Sequence, residues 1–462
     1  MTKKKASPAH TPALSPKEGM SPPQPKAPWS GMRNIALLWL AWALIVVGFQ
    51  ALATARFQPQ RPDMMMWFPG DPTDVNFYQQ GHPYLLDPFM NNQVWIDSEF
   101  YLGISIGGYG NPCMMHIAPG TQGSGVPCTD AKAGGMTMPV SYAFFPFYPI
   151  LIHLFAIPFS LLGLNPIATA TLAAVLVSAL GILAAMLALY DLTREALGED
   201  GAMRAVFYLL IFPTSFYFVQ VYTEGLFVGL AFTCLAMLKR QHLVYAALLA
   251  LAATLTRPVG VALVIPMAIT WLRNHKWRAL DQDFKRQPRR LIWHTLLAVT
   301  PLLVYLVWKF SYYGAAFDYV ETNFLGRPPL DIAKGFDLWT AVFNKMIAGF
   351  FHLPYSFNAE MISPQFSANY FIEFSCMAIG FIAILRCLKT DPEVAWFSLA
   401  TFMIPLVSGP PGIDRYLLAA PALFITLARW GKNPVFDRAW TLASLLLMGL
   451  LAMLFAFNFW VA

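Results

Sequence analysis

Apolar runs recur along most of this chain, and polar positions gather in the gaps between them. The runs are continuous and do not alternate, so they predict helices and not strands. The first covers about 34–53. A long polar stretch, 54–140, follows it. Further runs lie at about 141–162, 166–190, 205–220, 222–238, 243–256, 258–272, 291–310, 369–387, 394–409, 415–430 and 439–460. A crossing helix needs about 20 apolar residues. Every backbone N–H and C=O within the bilayer core must be paired inside the protein. The pattern therefore predicts an all-α polytopic membrane protein with about eleven spans.

Composition agrees. The chain is 57% hydrophobic and 12% charged, against about 25% charged in a soluble domain. The net charge of +6 changes the picture only through its distribution. Residues 1–31 carry Lys3, Lys4 and Lys5 among many prolines and predict a disordered cytosolic tail. Residues 32–462 form the multi-span domain. Basic clusters at Lys239–Arg240, Arg273–Arg290, Arg386–Lys389 and Arg429–Arg438 mark the cytosolic face. Counting crossings back from them puts 54–140, the turn at Gln220–Glu224, the turn at Arg257, the segment 311–368 and Gly409–Tyr416 outside. Only one crossing then fits between 140 and 191, so the proline-rich stretch 141–163 is expected to be re-entrant or interfacial. No basic soluble domain interleaved with aromatics is present, so nucleic acid is not a partner.

Two acids sit among aromatics in the first loop. The stretch Val94–Tyr109 places Asp97 and Glu99 beside Trp95, Phe100 and Tyr101. Residues 93–106 predict a short amphipathic helix that lays Trp95, Phe100, Tyr101 and Ile104 on lipid headgroups. Asp97 reads either as a helix cap or as a general base. Glu224 opens an apolar run, where the helix dipole stabilises an acid; it also suits sugar hydroxyls. Arg257 lies between two apolar runs, where a charge needs a partner or a wet cavity. A phosphate, or an ion pair with Glu224, answers that need. Arg415 offers the same chemistry, with Asp414 as its structural alternative. Tyr148 and Phe145 read as packing residues or as the lining of a lipid-tail groove. Cys113 and Cys128 share the first loop, either as a disulfide or as two thiols. His116 and His153 are isolated and lack metal-ligand spacing. No glycine-rich loop to cradle a nucleotide phosphate is present.

A family resemblance rests on these residues. The run Asp97-Ser98-Glu99-Phe100-Tyr101, followed by Ile104, Gly108 and Tyr109, resembles the first-loop signature of the PIG-V-like mannosyltransferases, which are GT-C integral membrane glycosyltransferases. Ala143–Leu151, Phe212–Phe216 with Tyr222–Phe227, Thr256-Arg257-Pro258 with Gly260, and Arg415-Tyr416 are similar to its later segments, in the same order. The chain departs from that pattern where Ile96 separates Trp95 from Asp97, and where Thr223 and Gly225 flank Glu224 in place of serines. The resemblance implies a GT-C-like helical bundle with 54–140 as a large external catalytic loop. It implies inverting mannosyl transfer from a polyprenyl- or dolichyl-phosphate mannose to a lipid, glycan or protein acceptor on the non-cytosolic face. Asp97 would be the base, with Glu99 as the alternative. Glu224, Arg257, Arg415, Tyr416 and Tyr148 would bind substrate. It implies no cofactor and leaves a divalent-metal requirement open. The expected location is a bacterial plasma membrane, or the ER membrane in a eukaryote. A transporter or lipid flippase is the rival class; it predicts half-to-half repeats, which the sequence does not show.

Overall fold

The computed structural model describes residues 29–57, 90–110, 116–117, 138–275, 285, 287–323, 332–352, 363–408, 412–457, 459 and 461. Residues 1–28 of the expected tail and most of the first loop, with Cys113 and Cys128, lie outside the described residues; the last three tail positions, 29–31, belong to helix, and the loop is described at its two ends and in a short strand pair. The architecture is all-α: the strand pair is His116–Ile117, antiparallel to Met138–Pro139.

Helix α1 is Trp29–Arg56, α2 Asp97–Gly107, α3 Phe147–Phe159 and α4 Pro166–Ile211. Then come α5 Glu224–Lys239, α6 Leu243–Thr256, a 3-10 segment at Pro258–Leu263, and α7 Val264–Asn274. The remainder are α8 Pro288–Lys309, α9 Tyr312–Asn323, α10 Ile332–Phe350, α11 Pro364–Cys387, α12 Pro392–Ser408, α13 Ile413–Leu417, α14 Pro421–Trp430 and α15 Pro434–Ala456. Many begin at proline, which lacks the N–H that a first turn leaves unpaired and holds φ near helical. At three of these starts the preceding side chain caps the helix. Asn165 accepts from Ala168 N at 2.8 Å, Ser363 from Phe366 N at 3.2 Å, and Asn433 from Val435 N at 2.9 Å.

Among the described residues, five helices are long and apolar enough to cross a membrane: Gly31–Arg56, α4, α8, α11 and α15. Shorter apolar helices run over Phe147–Leu162, Leu243–Thr256, Pro258–Asn274 and Pro392–Val407. The chain is an integral membrane protein. Helix α4 is the hub, packing on α1, α3, α5 and α14. Its crossing with α5 is close because Gly181, Gly225 and Gly229 face backbone. A Cβ on Gly225 would lie 2.3 Å from Ser178 O, and one on Gly229 2.3 Å from Gly181 O. Small residues let membrane helices approach in this way.

The polar stretch 191–204 contains a break at Gly198 (φ 73°, ψ 175°), where two helices meet within α4. Its charges pair along and across helices: Arg194 with Asp191 at 3.2 Å, Arg240 with Asp191 at 2.8 Å, and Lys239 with Glu195 at 2.6 Å. One expectation is corrected: α2 does not lie on lipid headgroups. Trp95, Phe100, Tyr101 and Ile104 are all buried, because apolar and aromatic side chains surround the helix and find partners in α3 and α4. Phe100 stacks on Phe144, and Tyr101 meets Tyr148 edge-on.

Three glutamines fasten this loop to the bundle. Gln93 and Gln220 both donate to Gln50 Oε1, at 3.1 and 2.9 Å, and Gln50 donates to Ala452 O at 3.1 Å. All three are buried, where such amides are costly unless paired.

Candidate active site

Four charged side chains from four places in the sequence meet at one end of the bundle. Asp97 opens α2 and Glu224 opens α5, so each carboxylate sits at a helix N-terminus. Arg257 follows the last residue of α6, in extended backbone. Arg415 belongs to the short helix α13. Arg257 Nη1 lies 2.6 Å from Glu224 Oε1 and donates to Thr223 Oγ1 at 3.2 Å. Arg415 Nη1 lies 3.7 Å from the same Glu224 oxygen and 4.0 Å from Asp97 Oδ2. One carboxylate thus holds two guanidiniums, and the second guanidinium reaches a second carboxylate.

Exposure separates the two acids. The Glu224 side chain is 2% exposed and that of Asp97 35%. Glu224 is buried against both arginines, whereas Asp97 is partly exposed. Tyrosine faces complete the walls. The Arg257 guanidinium lies 4.5 Å from the Tyr416 ring centroid, and that of Arg415 lies 5.0 Å from Tyr217 and 5.5 Å from Tyr222. Such contacts stabilise a desolvated cation.

Local backbone fixes where Asp97 points. Ile96, the residue by which this chain departs from the family signature, has φ 46° and ψ −97°. A β-branched residue pays for that region, and neighbouring bonds hold it there. Trp95 N donates to Ser98 Oγ at 3.1 Å, Glu99 N donates to Ile96 O at 3.1 Å, and Tyr222 Oη donates to Trp95 O at 3.0 Å. Tyr101 lies beside Asp97 on α2. Burial pushes its phenol well above the ordinary range, and the Asp97 charge adds to this, so it stays protonated.

The structure brings together Asp97, Glu224, Arg257, Arg415 and Tyr416. Glu99 is fully buried and, two residues from Asp97, turns to another side of the helix. Tyr148 lies a layer deeper. It donates to Ala174 O at 3.0 Å and meets Ser178 Oγ at 2.9 Å, and Ser178 donates to Tyr222 O at 2.8 Å. It is fully buried and packs against α4 here.

Glu373 on α11 was not singled out from sequence. Its Oε1 accepts from Gly412 N and Ile413 N, both at 2.8 Å, and so anchors the turn that presents Arg415. An acid inside an apolar helical run was the available signal. Tyr217 had no such signal. Among the described residues, no three of His, Cys, Asp and Glu are arranged to hold a metal ion.

No protein-family model matches the chain, and no curated protein matches its sequence. The chain is similar to several solved structures. One is the archaeal oligosaccharyltransferase AglB from Archaeoglobus fulgidus in complex with an inhibitory peptide and a dolichol-phosphate, at 14% identity and TM-score 0.38, covering 90% of this chain and 56% of that one. Another is the apo oligosaccharyltransferase of the same organism, at 15% identity and TM-score 0.43, covering 94% and 57%. A third is ArnT from Cupriavidus metallidurans bound to undecaprenyl phosphate, at 15% identity and TM-score 0.41, covering 92% and 76%. The chain spans a little over half the length of these oligosaccharyltransferase chains.

Proposed function

We propose that this chain is a GT-C-type glycosyltransferase. In this reading it moves a mannosyl unit, with inversion, from a polyprenyl- or dolichyl-phosphate to a hydroxyl of a lipid, glycan or protein acceptor on the non-cytosolic face. The observation that carries the reading is the shared position of Arg415, between Asp97 at 4.0 Å and Glu224 at 3.7 Å. It sets an open carboxylate next to a pair of clamped guanidiniums. The ordered motifs of the PIG-V-like signature supply the reaction class and the sugar.

In this mechanism Asp97 accepts the proton of the acceptor hydroxyl as its oxygen attacks the anomeric carbon. The bond from that carbon to the donor phosphate oxygen breaks, and the phosphate leaves with its electron pair. Arg257 and Arg415 bind the phosphate and offset the charge gained on leaving. Glu224 holds both arginines in place. A lipid phosphate is already a fair leaving group, so one carboxylate suffices, unlike the paired acids of glycosidases.

The test is transfer of labelled mannose from polyprenyl-phosphate-mannose into membrane lipids and proteins by the purified protein. Asp97→Asn is expected to lower transfer by roughly 10²–10⁴-fold with its melting curve preserved. Transfer that survives in a folded Asp97→Asn protein would remove Asp97 as the base. A wild-type protein inactive with mannose and with other lipid-phosphate sugars would remove the glycosyltransferase reading and favour a flippase.

A further inference from the structure

The far end of the bundle holds a second polar cleft, of about 710 Å³. It lies where the α5–α6 turn, the end of α7 and the start of α8 come together. Helix α5 runs from Glu224 to Lys239, 16 residues, which separates this cleft from the candidate active site by about 24 Å.

His242, His275, Arg290 and His294 line it. His275 Nε2 and His294 Nδ1 lie 3.0 Å apart. Two helices also start here. Leu243 opens α6 and Pro288 opens α8, and neither first turn has a side-chain cap. Their N–H groups and positive dipole ends add to the charge of Arg290. Together these features attract an anion.

The rim and floor narrow the choice of anion. Tyr245 and Trp293 line the cleft and are 64% and 52% exposed. Aromatic side chains with a polar edge settle at the headgroup level of a bilayer. Leu243, Leu291 and Leu297 form the apolar part of its lining. Basic pockets between membrane helices on the cytosolic side suit phosphate-bearing lipid headgroups. We infer that this cleft binds the phosphate of an anionic phospholipid of the cytosolic leaflet, through Arg290 and His294 with the His275 imidazole alongside. The inference rests on the chain lying in a membrane with this end at the cytosolic face, and is independent of its proposed chemistry.

The experiment titrates the full-length protein, purified in detergent, with phosphatidylglycerol or phosphatidylcholine. Bound lipid is read by native mass spectrometry and melting temperature by thermal unfolding. Phosphatidylglycerol is expected to bind in preference and to raise the melting temperature. Arg290→Gln is expected to weaken that binding about fivefold, the effect of one basic charge near a membrane surface, and adding His294→Gln to weaken it further. Arg194→Gln, on the same face but paired with Asp191, is expected to keep it. Unchanged melting of each variant in phosphatidylcholine shows that the fold is intact. Equal binding of the two lipids, or an undiminished preference in the Arg290→Gln/His294→Gln protein, would overturn the inference. Inorganic phosphate reproducing the whole effect without lipid would also overturn it, by placing a free anion there.

Discussion

At the scale of single residues, the two acids of the candidate site do different physical work, and this is testable without any substrate. Glu224 is the common partner of two guanidiniums whose side chains are only 14% and 15% exposed. Removing its charge leaves two like charges close together in a poorly hydrated place. Breaking such a buried pair costs about 3–5 kcal/mol, so Glu224→Gln is expected to lower the melting temperature sharply. Asp97 is more open and its pairing is longer, and pairs of that kind are worth about 0–1 kcal/mol. Asp97→Asn is therefore expected to melt close to wild type. Thermal unfolding of the two variants side by side checks the contrast. Equal losses would mean that Asp97 is as structural as Glu224. Much of this quartet was legible in the sequence: Glu224, Arg257 and Arg415 stand within or beside apolar runs, where a charge demands a reason, and Asp97 stands among aromatics in the first loop. Which demand each answers was not legible. Arg257 had phosphate or Glu224 as partners, and only the 2.6 Å contact with Glu224 shows that the pair exists. Glu373 posed the same demand, but its two backbone amides come from the turn at Gly412–Ile413, about forty residues away.

At the scale of elements, the apolar helices followed from periodicity and length, and their starts from proline and capping residues. The error at α2 has a plain cause: a local pattern does not report what a segment packs against. The first-loop helix α2 has the aromatic content of an interfacial segment, and its burial depends on surfaces of α3 and α4 that the loop's own sequence does not contain. The charges of the stretch 191–204, around the break at Gly198, are satisfied by partners on the same stretch and at the end of α5. The crossing of α4 with α5 positions Glu224, and it turns on Gly225, where the family pattern carries serine. With only 2.3 Å between a Cβ there and Ser178 O, a methyl group forces the helices apart. Overpacking costs about 1–3 kcal/mol. Gly225→Ala is therefore expected to lower the melting temperature and, by displacing Glu224 and both arginines, to reduce transfer further than its loss of stability explains. A Gly225→Ala protein with wild-type melting and activity would show that the crossing has slack.

At the scale of the whole molecule, charges fall into two layers joined by apolar helix. One layer is the Asp97, Glu224, Arg257 and Arg415 cluster. The other gathers Asp191, Glu195, Lys239 and Arg240 near the α5–α6 turn. Gln241 carries it on to Asn274 at 2.8 Å, and Arg273 and Arg429 pair with Glu393 and Asp391 at 2.5 and 3.0 Å. The separation along α5, about 24 Å, is somewhat less than the bilayer's hydrocarbon thickness of about 30 Å. With the second layer at the cytosolic boundary, the first lies just inside the opposite one. There Asp97 would be open to an aqueous acceptor while the arginines meet a phosphate carried on a lipid. The layers alone do not say which face is cytosolic; the positive-inside count supplies that assignment from loop charges. It predicts the outcome of cysteine labelling in a background lacking Cys113 and Cys128. A cysteine replacing Tyr312, which is exposed on the α9 side, should react with a membrane-impermeant maleimide in intact cells. One replacing Glu199, exposed beside the Gly198 break, should react only after permeabilisation. The reverse pattern would put the candidate active site in the cytosol. A base, two phosphate-binding arginines and a lipid-borne donor would then have to work on the side where nucleotide sugars are available, and the choice of a lipid-phosphate donor would lose its topological reason.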